Sequence, residues 1–291
     1  MDLNGKKILS NSKRNALQGL LFVSPWILGF CLFIIYPLIY SIVLSLNAVQ
    51  IRPDGIIYEF KGLFYYDYAL NANVYFRDCL AVQVSMIGYM TPIVLVFSLI
   101  IALLLNKNFR FRTLYRVIFF LPVIIMSGPV ISNLLSSYAI DIYANVPLIY
   151  KFLGELPEAV GTPVKYVLDH LVTIIWLCGV QILIFLTGIH RISPDLYEAA
   201  SIDGAGAWEK FWKITLPHLS PMILICAVYT VVDIANFSEG GNVNALIKSN
   251  IFNAEYPYSY ASAIAWMYFI VVLFILVVVF LIFKFFGRKA N

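Results

Sequence analysis

Long stretches without a charged side chain divide this sequence into apolar and polar segments. Five runs lack Asp, Glu, Lys and Arg entirely, and a sixth is interrupted only by Asp233. Each run reaches the roughly 20 residues that an α-helix needs to cross the hydrocarbon core of a bilayer. We therefore predict six membrane-spanning helices. Their approximate bounds are 17–46, 80–105, 114–136, 170–190, 218–238 and 260–284.

The composition agrees with this pattern and excludes other classes of protein. Of the 291 residues, 61% are hydrophobic and 12% are charged, whereas soluble domains usually carry about 25% charged residues. Four cysteines are too few for a disulfide-rich secreted scaffold. The sequence predicts an all-α membrane protein in which residues 1–291 form a single transmembrane domain.

The basic residues are distributed unevenly between the two sides of the membrane. With six spans both termini lie on one side, and that side holds 14 of the 20 Lys and Arg residues. Because cytoplasmic loops are enriched in Lys and Arg, both termini are predicted to be cytoplasmic. This topology accounts for most of the formal net charge of +4, and we predict no nucleic-acid partner.

The predicted cytoplasmic loop at 191–217 differs from the other loops because it contains helix signals around a glycine. Ser193 is a suitable N-cap, and Pro194 fits the first helical position, where its missing N–H costs nothing. A short helix through Ile202 is predicted. Gly204 breaks this helix, at a position where a turn with positive φ would favour glycine.

A second short helix is predicted from Ala207, with its end at Leu216-Pro217. It carries an apolar stripe at i, i+3 and i+4 spacing. The stripe consists of Trp208, Phe211 and Trp212. The residues alone leave two interpretations open: an amphipathic loop lying on the membrane surface, or a protruding helix–turn–helix that docks into a partner protein.

About twenty consecutive positions of this loop resemble the complete EAA loop of bacterial ABC importer permeases. They run from Glu198-Ala199-Ala200 through Asp203-Gly204-Ala205, Phe211 and Ile214 to Leu216-Pro217. Two further stretches are similar to the sugar-permease branch, the maltose and glycerol-phosphate transporter type. These stretches are SPWILGFCLFIIYPLIYSIVLSL and FRFRTLYRVIFFLPVII.

The resemblance implies the ABC type I importer permease fold in a bacterial cytoplasmic membrane, with a coupling helix that seats in a cytoplasmic ATPase subunit. It implies a second permease subunit, two ATPase subunits and an external solute-binding protein as partners. The chain lacks a Gly-x-x-x-x-Gly-Lys-Ser/Thr phosphate loop, so ATP and Mg²⁺ would bind the ATPase subunits and no cofactor is expected here. The residues assigned to coupling are Glu198, Ala199, Ala200, Asp203, Gly204, Ala205, Phe211 and Pro217.

Asp233 marks a candidate substrate path, since a charged residue inside a membrane span is costly and by default functional. Aromatic rings that stack on sugar faces and small polar groups that bond hydroxyls favour a neutral carbohydrate, such as an oligosaccharide. The candidates sharing the helical spacing of Asp233 are Tyr229, Asn236 and Phe237, and weaker candidates are Trp176, Gln181 and Trp266. Alternatively, Asp233 pairs with the partner permease or lies at the outer water boundary.

Other functions remain open at this level. Glycerol phosphate is the alternative cargo if the partner permease supplies a counter-charge. A secondary transporter acting alone would be expected to carry internal pseudo-symmetry and ion-coupling acids, and the sequence shows neither. A membrane-embedded enzyme would need a catalytic set, but the three histidines form no H-E-x-x-H motif. We therefore predict a transport subunit with no catalytic or metal-binding residues.

Overall fold

The computed structural model describes residues 11–52, 55–107, 110, 114, 117–119, 157–237, 242–251 and 258–287. Within these residues, five helices are long and apolar enough to cross a membrane. These spans are Gln18–Leu46, Val74–Asn106, Thr173–His190, Ala207–Asn236 and Ser259–Phe285. The third span predicted from the sequence, 114–136, lies almost entirely outside the described residues.

The secondary structure is helical apart from one hairpin among the described residues. In chain order the helices are α1 (Asn11–Phe30), α2 (Tyr36–Leu46), α3 (Phe64–Asp67), α4 (Val74–Asn106), α5 (Glu158–Asp169), α6 (Leu171–His190), α7 (Pro194–Ile202), α8 (Ala207–Lys210), α9 (Leu216–Asn236), α10 (Val243–Ile251) and α11 (Ser259–Gly287). Three π-helical turns, Cys31–Ile35, Tyr68–Ala72 and Phe211–Thr215, lie between consecutive helical segments.

The antiparallel hairpin of β1 (Asn47–Arg52) and β2 (Gly55–Phe60) is an exception to the all-α prediction. Its register pairs Asn47 with Phe60 and Val49 with Tyr58. Val and Tyr favour strands, and Gly55 has a φ of 134°, a value that glycine adopts without steric cost. The two strands are only six residues long and begin directly after the first span. From the sequence this segment therefore resembles a polar loop.

The helix after the predicted coupling loop is longer than expected from the sequence. Leu216-Pro217 was expected to end a short helix, but Ala207–Asn236 is continuous. The π-helical turn Phe211–Thr215 explains the difference, because Leu216 donates its N–H to the Phe211 carbonyl five residues earlier. A wider turn before a proline relieves the clash between the proline ring and the preceding carbonyls. The helix therefore continues through Pro217 without breaking.

The described residues fall into two compact units. One comprises residues of Met1–Val74 and Ile247–Met267, and the other residues of Tyr75–Leu246 and Tyr268–Asn291. In the second unit α6 packs against α9, and Gly188 allows their close approach. A Cβ on Gly188 would lie 2.7 Å from Leu219 Cδ2 and 2.8 Å from Met222 Cγ. A small residue at a helix–helix contact is typical of membrane proteins.

Candidate functional site

The first helix of the predicted coupling loop, α7, starts with the cap predicted from the sequence. Ser193 has an extended backbone, and its Oγ accepts the N–H of Asp195 at 3.3 Å. Pro194 occupies the first turn, where a missing N–H removes no helical bond. The acidic side chain of Asp195 in the same turn is favourable near the positive end of the helix dipole. Local sequence therefore determines where this helix begins.

Gly204 ends α7 in a left-handed turn, with a φ of 80°. The Ala205 N–H donates to the Ala200 carbonyl at 2.8 Å, and the Gly204 N–H donates to the Ser201 carbonyl at 3.1 Å. This pair of bonds is a Schellman motif, which closes a helix when its C′ residue is left-handed. The expectation of positive φ at Gly204 is confirmed.

The next helical segment starts two residues after this turn. The Glu209 carboxylate accepts the Gly206 N–H at 3.1 Å, which satisfies one of the free donors at a helix start. The rings of Trp208 and Trp212 lie 5.4 Å apart, and those of Phe211 and Trp212 lie 5.3 Å apart. The three aromatic residues therefore form one cluster, as their i, i+3 and i+4 spacing predicted.

Two hydrogen bonds tie α7 to the long helix that follows it. The hydroxyls of Tyr197 and Thr215 lie 2.9 Å apart, and Thr215 is buried. Lys210 Nζ donates to Ser201 Oγ at 2.6 Å. Neither contact was predicted from the sequence, because the bonded residues are 9 and 18 positions apart. These two side-chain hydrogen bonds hold α7 against the helix Ala207–Asn236, in addition to the covalent connection between them.

The turn between the two helices presents apolar side chains beside charged ones. Ile202 is 88% exposed and Trp208 is 73% exposed. Exposed large apolar groups grouped with charges are characteristic of protein-interaction sites. Of the predicted coupling residues, Glu198, Ala199, Asp203, Gly204 and Pro217 are exposed, and Ala200, Ala205 and Phe211 are half-buried.

Three of the predicted path residues lie on α9 itself. Tyr229 and Asn236 are exposed, and Asp233 is half-buried. Their i, i+4 and i+7 spacing places them on one helical face. Phe237 differs from the prediction, since it follows the last helical residue with a ψ of 126° and its side chain is buried. Helical spacing therefore does not place Phe237 with the other three.

The weaker path candidates lie in three different surroundings. Gln181 is fully buried and donates its Nε2 to Thr230 Oγ1 at 2.8 Å. Trp176 is half-buried, and its Nε1 has no hydrogen-bond partner among the described residues. Trp266 donates its Nε1 to Ser41 Oγ of the first span at 3.1 Å.

The opposite face of α9 is held by buried glutamines. Gln83 on α4 is fully buried and donates its Nε2 to the Ile234 carbonyl at 3.0 Å, while Gln181 reaches Thr230, one turn earlier. In the described part of the chain, the Oε1 atoms of both glutamines have no partner. Sequence reasoning missed Gln83, because an isolated glutamine in a span carries no periodic signal.

The described residues contain no group of three or more His, Cys, Asp or Glu side chains that could hold a metal ion. Two groups of polar side chains surround α9: Gln83 and Gln181 hold it by hydrogen bonds, and Tyr229, Asp233 and Asn236 form its more exposed face. Such an arrangement can position a helix and line a path for a polar solute.

Comparison with known proteins agrees with this architecture. Residues 62–291 match the family described as "Binding-protein-dependent transport system inner membrane component". YesP of Bacillus subtilis, named as a probable ABC transporter permease protein, is 29% identical over 95% of this chain and 94% of its own length. The lactose transport system permease protein LacF of Rhizobium radiobacter is 28% identical over 91% of this chain and 92% of its own.

A further relative is the arabinooligosaccharides transport system permease protein AraP of Bacillus subtilis. It is 30% identical over 73% of this chain and 67% of its own length. Among solved structures, the bacterial alginate ABC transporter in complex with alginate pentasaccharide-bound periplasmic protein contains a similar chain. That chain superposes with a TM-score of 0.61 at 20% identity, covering 92% of this chain and 93% of the other.

These likenesses confirm the permease fold and the predicted family of sugar-type ABC importer permeases. They also establish a transport subunit rather than an enzyme, built as a multi-pass membrane protein. The chain belongs to the family of binding-protein-dependent transport system inner membrane components, the permeases of ABC importers.

Proposed function

We propose that this chain forms one half of the translocation pathway of an importer for a neutral sugar or oligosaccharide. The observation that carries this proposal is the set of relatives that align over most of the chain and are named for lactose and arabinooligosaccharides. The residues of the chain are compatible with such a cargo. No Lys or Arg interrupts the runs Cys79 to Asn106 or Ile214 to Ser238, so this half offers no counter-charge to an anion in those segments.

The exposed face of α9 is the part of the pathway that we assign to substrate. Tyr229, Asp233 and Asn236 lie on it, while Thr230 and Ile234 on the other face are held by the buried glutamines. Because one face of this helix packs against the core, its other face is available to a solute. A carboxylate and an amide can bond sugar hydroxyls, and an aromatic ring can stack on a sugar face.

Asp233→Asn and Tyr229→Ala are expected to reduce uptake of a sugar about tenfold or more, since a site that bonds hydroxyls discriminates strongly when a partner is lost. Uptake is measured in cells against a panel of sugars, sugar phosphates and amino acids. Val232→Ala is the control, because Val232 is exposed on the same helix but has no polar group. Unchanged sugar uptake in both variants removes these residues from the path, and exclusive uptake of an anion or an amino acid contradicts the carbohydrate proposal.

For the assembly, we propose a second permease subunit, two ATPase subunits and an external solute-binding protein, with both termini of this chain in the bacterial cytoplasm. One coupling loop per chain supports a complex in which a similar permease supplies the other half. The exposed turn around Glu198, Ile202 and Trp208 supports a docking role for the loop. On this proposal the loop receives the closure of the ATPase subunits and transfers it to α9.

Tyr197→Phe tests this transfer, because it removes the hydroxyl that bonds Thr215 and leaves the ring in place. A net hydrogen bond contributes about 0.5–1.5 kcal/mol, so we expect uptake to fall about two- to tenfold while the subunits still co-purify. Tyr36→Phe is the control, since Tyr36 is 65% exposed on the first span. Equal uptake by the two variants would show that the bond between Tyr197 and Thr215 does not contribute to transport.

A further inference from the structure

The hairpin after the first span has one strongly apolar face. Along β2 the side chains of Ile56, Tyr58 and Phe60 share a face, and they are 54%, 45% and 74% exposed. The register places Val49 of β1 on this face, opposite Tyr58. Successive strand residues alternate between faces, so the hairpin is amphipathic.

Asn47, which pairs with Phe60 at the base of the apolar face, is half-buried and donates its Nδ2 to the Val43 carbonyl of α2. The other face carries the polar side chains of Gln50 and Glu59, together with Ala48 and Ile57. Both polar side chains are exposed, and Glu59 forms an ion pair with Lys61 at 2.6 Å. The β2 residues of both faces are exposed, whereas Ala48 and Val49 of β1 are buried. The exposed parts of the two faces therefore differ in polarity.

A bond between two tyrosines determines which way the apolar face points. Tyr58, on that face, lies with its hydroxyl 2.6 Å from the hydroxyl of Tyr40 in the first span. If the hairpin continued straight along the axis of α2, the two Cα atoms would be about 19 Å apart, which exceeds the reach of two tyrosine side chains and a hydrogen bond. The hairpin must therefore turn back, with its apolar face towards the level of Tyr40.

The base of the hairpin is held by contacts on either side. The Lys61 N–H donates to the Leu46 carbonyl at 3.0 Å, and Ser259 Oγ accepts the N–H of Val49 at 2.9 Å. Tyr66 donates its hydroxyl to Ser45 Oγ at 2.8 Å. These bonds keep the hairpin from rotating about its connection to α2, so the direction of its apolar face is fixed by the fold.

We infer that the apolar face of the hairpin, formed by Ile56, Tyr58 and Phe60, lies in the lipid headgroup region at the C-terminal end of the first span. The first span is itself apolar and exposed, with Ile39 53% exposed one residue before Tyr40. The apolar face of the hairpin is thus continuous with the exposed apolar surface of the first span, which contacts lipid when that helix crosses a membrane. Tyrosines that are apolar along the ring and polar at the tip are typical of this interface, and amphipathic elements bury their apolar side about 5–10 Å into it.

Spin labels on adjacent residues test this inference. Glu59→Cys and Phe60→Cys place labels on opposite faces, in a Cys31→Ser background because Cys31 is the exposed cysteine among the four. The complete transporter is reconstituted into phospholipid nanodiscs, and collision rates with oxygen and with a water-soluble nickel chelate are measured by electron paramagnetic resonance. We expect the oxygen-to-nickel ratio at residue 60 to exceed that at residue 59 by about threefold or more.

Ile56→Cys places a second label on the same face as residue 60. It provides an independent measurement if Phe60→Cys fails to fold. The monodispersity of each variant is checked first. High oxygen and low nickel access at residues 56 and 60 supports the inference. High nickel access at both residues places the face in water and overturns it. Low access to both reagents means that a protein subunit covers the face, and this result also overturns it.

Discussion

Gly204→Val is expected to abolish uptake while the chain remains inserted in the membrane. Gly204 has a φ of 80°, and a β-branched residue in this region is a steric outlier that costs about 1–3 kcal/mol. Relief of this strain would break the bonds from the Ala205 and Gly204 N–H groups that close α7. The turn that orients Glu198 and Ile202 would then change shape, and the proposed docking surface would be lost.

Two further variants separate backbone conformation from bulk. Gly204→Asn should retain part of the uptake, because asparagine tolerates the left-handed region. Gly206→Val adds the same side chain two residues later, at a φ of −72° and with no atom within 4 Å of the added Cβ, and it should transport at near the normal rate. Uptake and co-purification of the proposed ATPase subunits and second permease are measured together. Normal uptake by Gly204→Val would contradict the assignment of this turn to coupling.

Gly188→Val is expected to destabilise the packing of α6 against α9 by about 1–3 kcal/mol, the range observed for overpacked cores. The first added carbon would already meet Leu219 Cδ2 at 2.7 Å, and Leu219 is fully buried. The two helices cannot separate freely, because Gln181 bonds Thr230 across the same contact. We expect a lower melting temperature and a lower yield of purified protein in detergent.

Gly88→Val is the matched control for this prediction. Gly88 also lies inside a spanning helix, α4, but no atom lies within 4 Å of its added Cβ. In the double variant Gly188→Ala with Leu219→Ala, the loss of stability should be smaller than the sum of the losses in the two single variants, since the two sites share one contact. Equal melting temperatures for Gly188→Val and Gly88→Val would show that close approach at Gly188 does not limit stability.

Local chemistry of the sequence was enough to predict several features of the coupling loop. Ser193 and Pro194 act on the N–H groups of the next few residues, and Gly204 acts on its own backbone angle. Because these effects extend over one helical turn, they can be recognised from neighbouring residues. The family resemblance then predicted that the same loop is the coupling element.

The charge-free runs determined the membrane class in the same way, since a bilayer excludes charged side chains whatever the tertiary packing. The tertiary structure decided which groups the polar side chains in the spans bond, as with Gln83 and the carbonyl of Ile234, 151 positions away. It also decided that a π-helical turn carries the helix through Pro217, and that the hairpin folds back until Tyr58 reaches Tyr40. These outcomes depend on contacts between distant segments, whereas periodicity and capping depend only on residues within a few positions of one another.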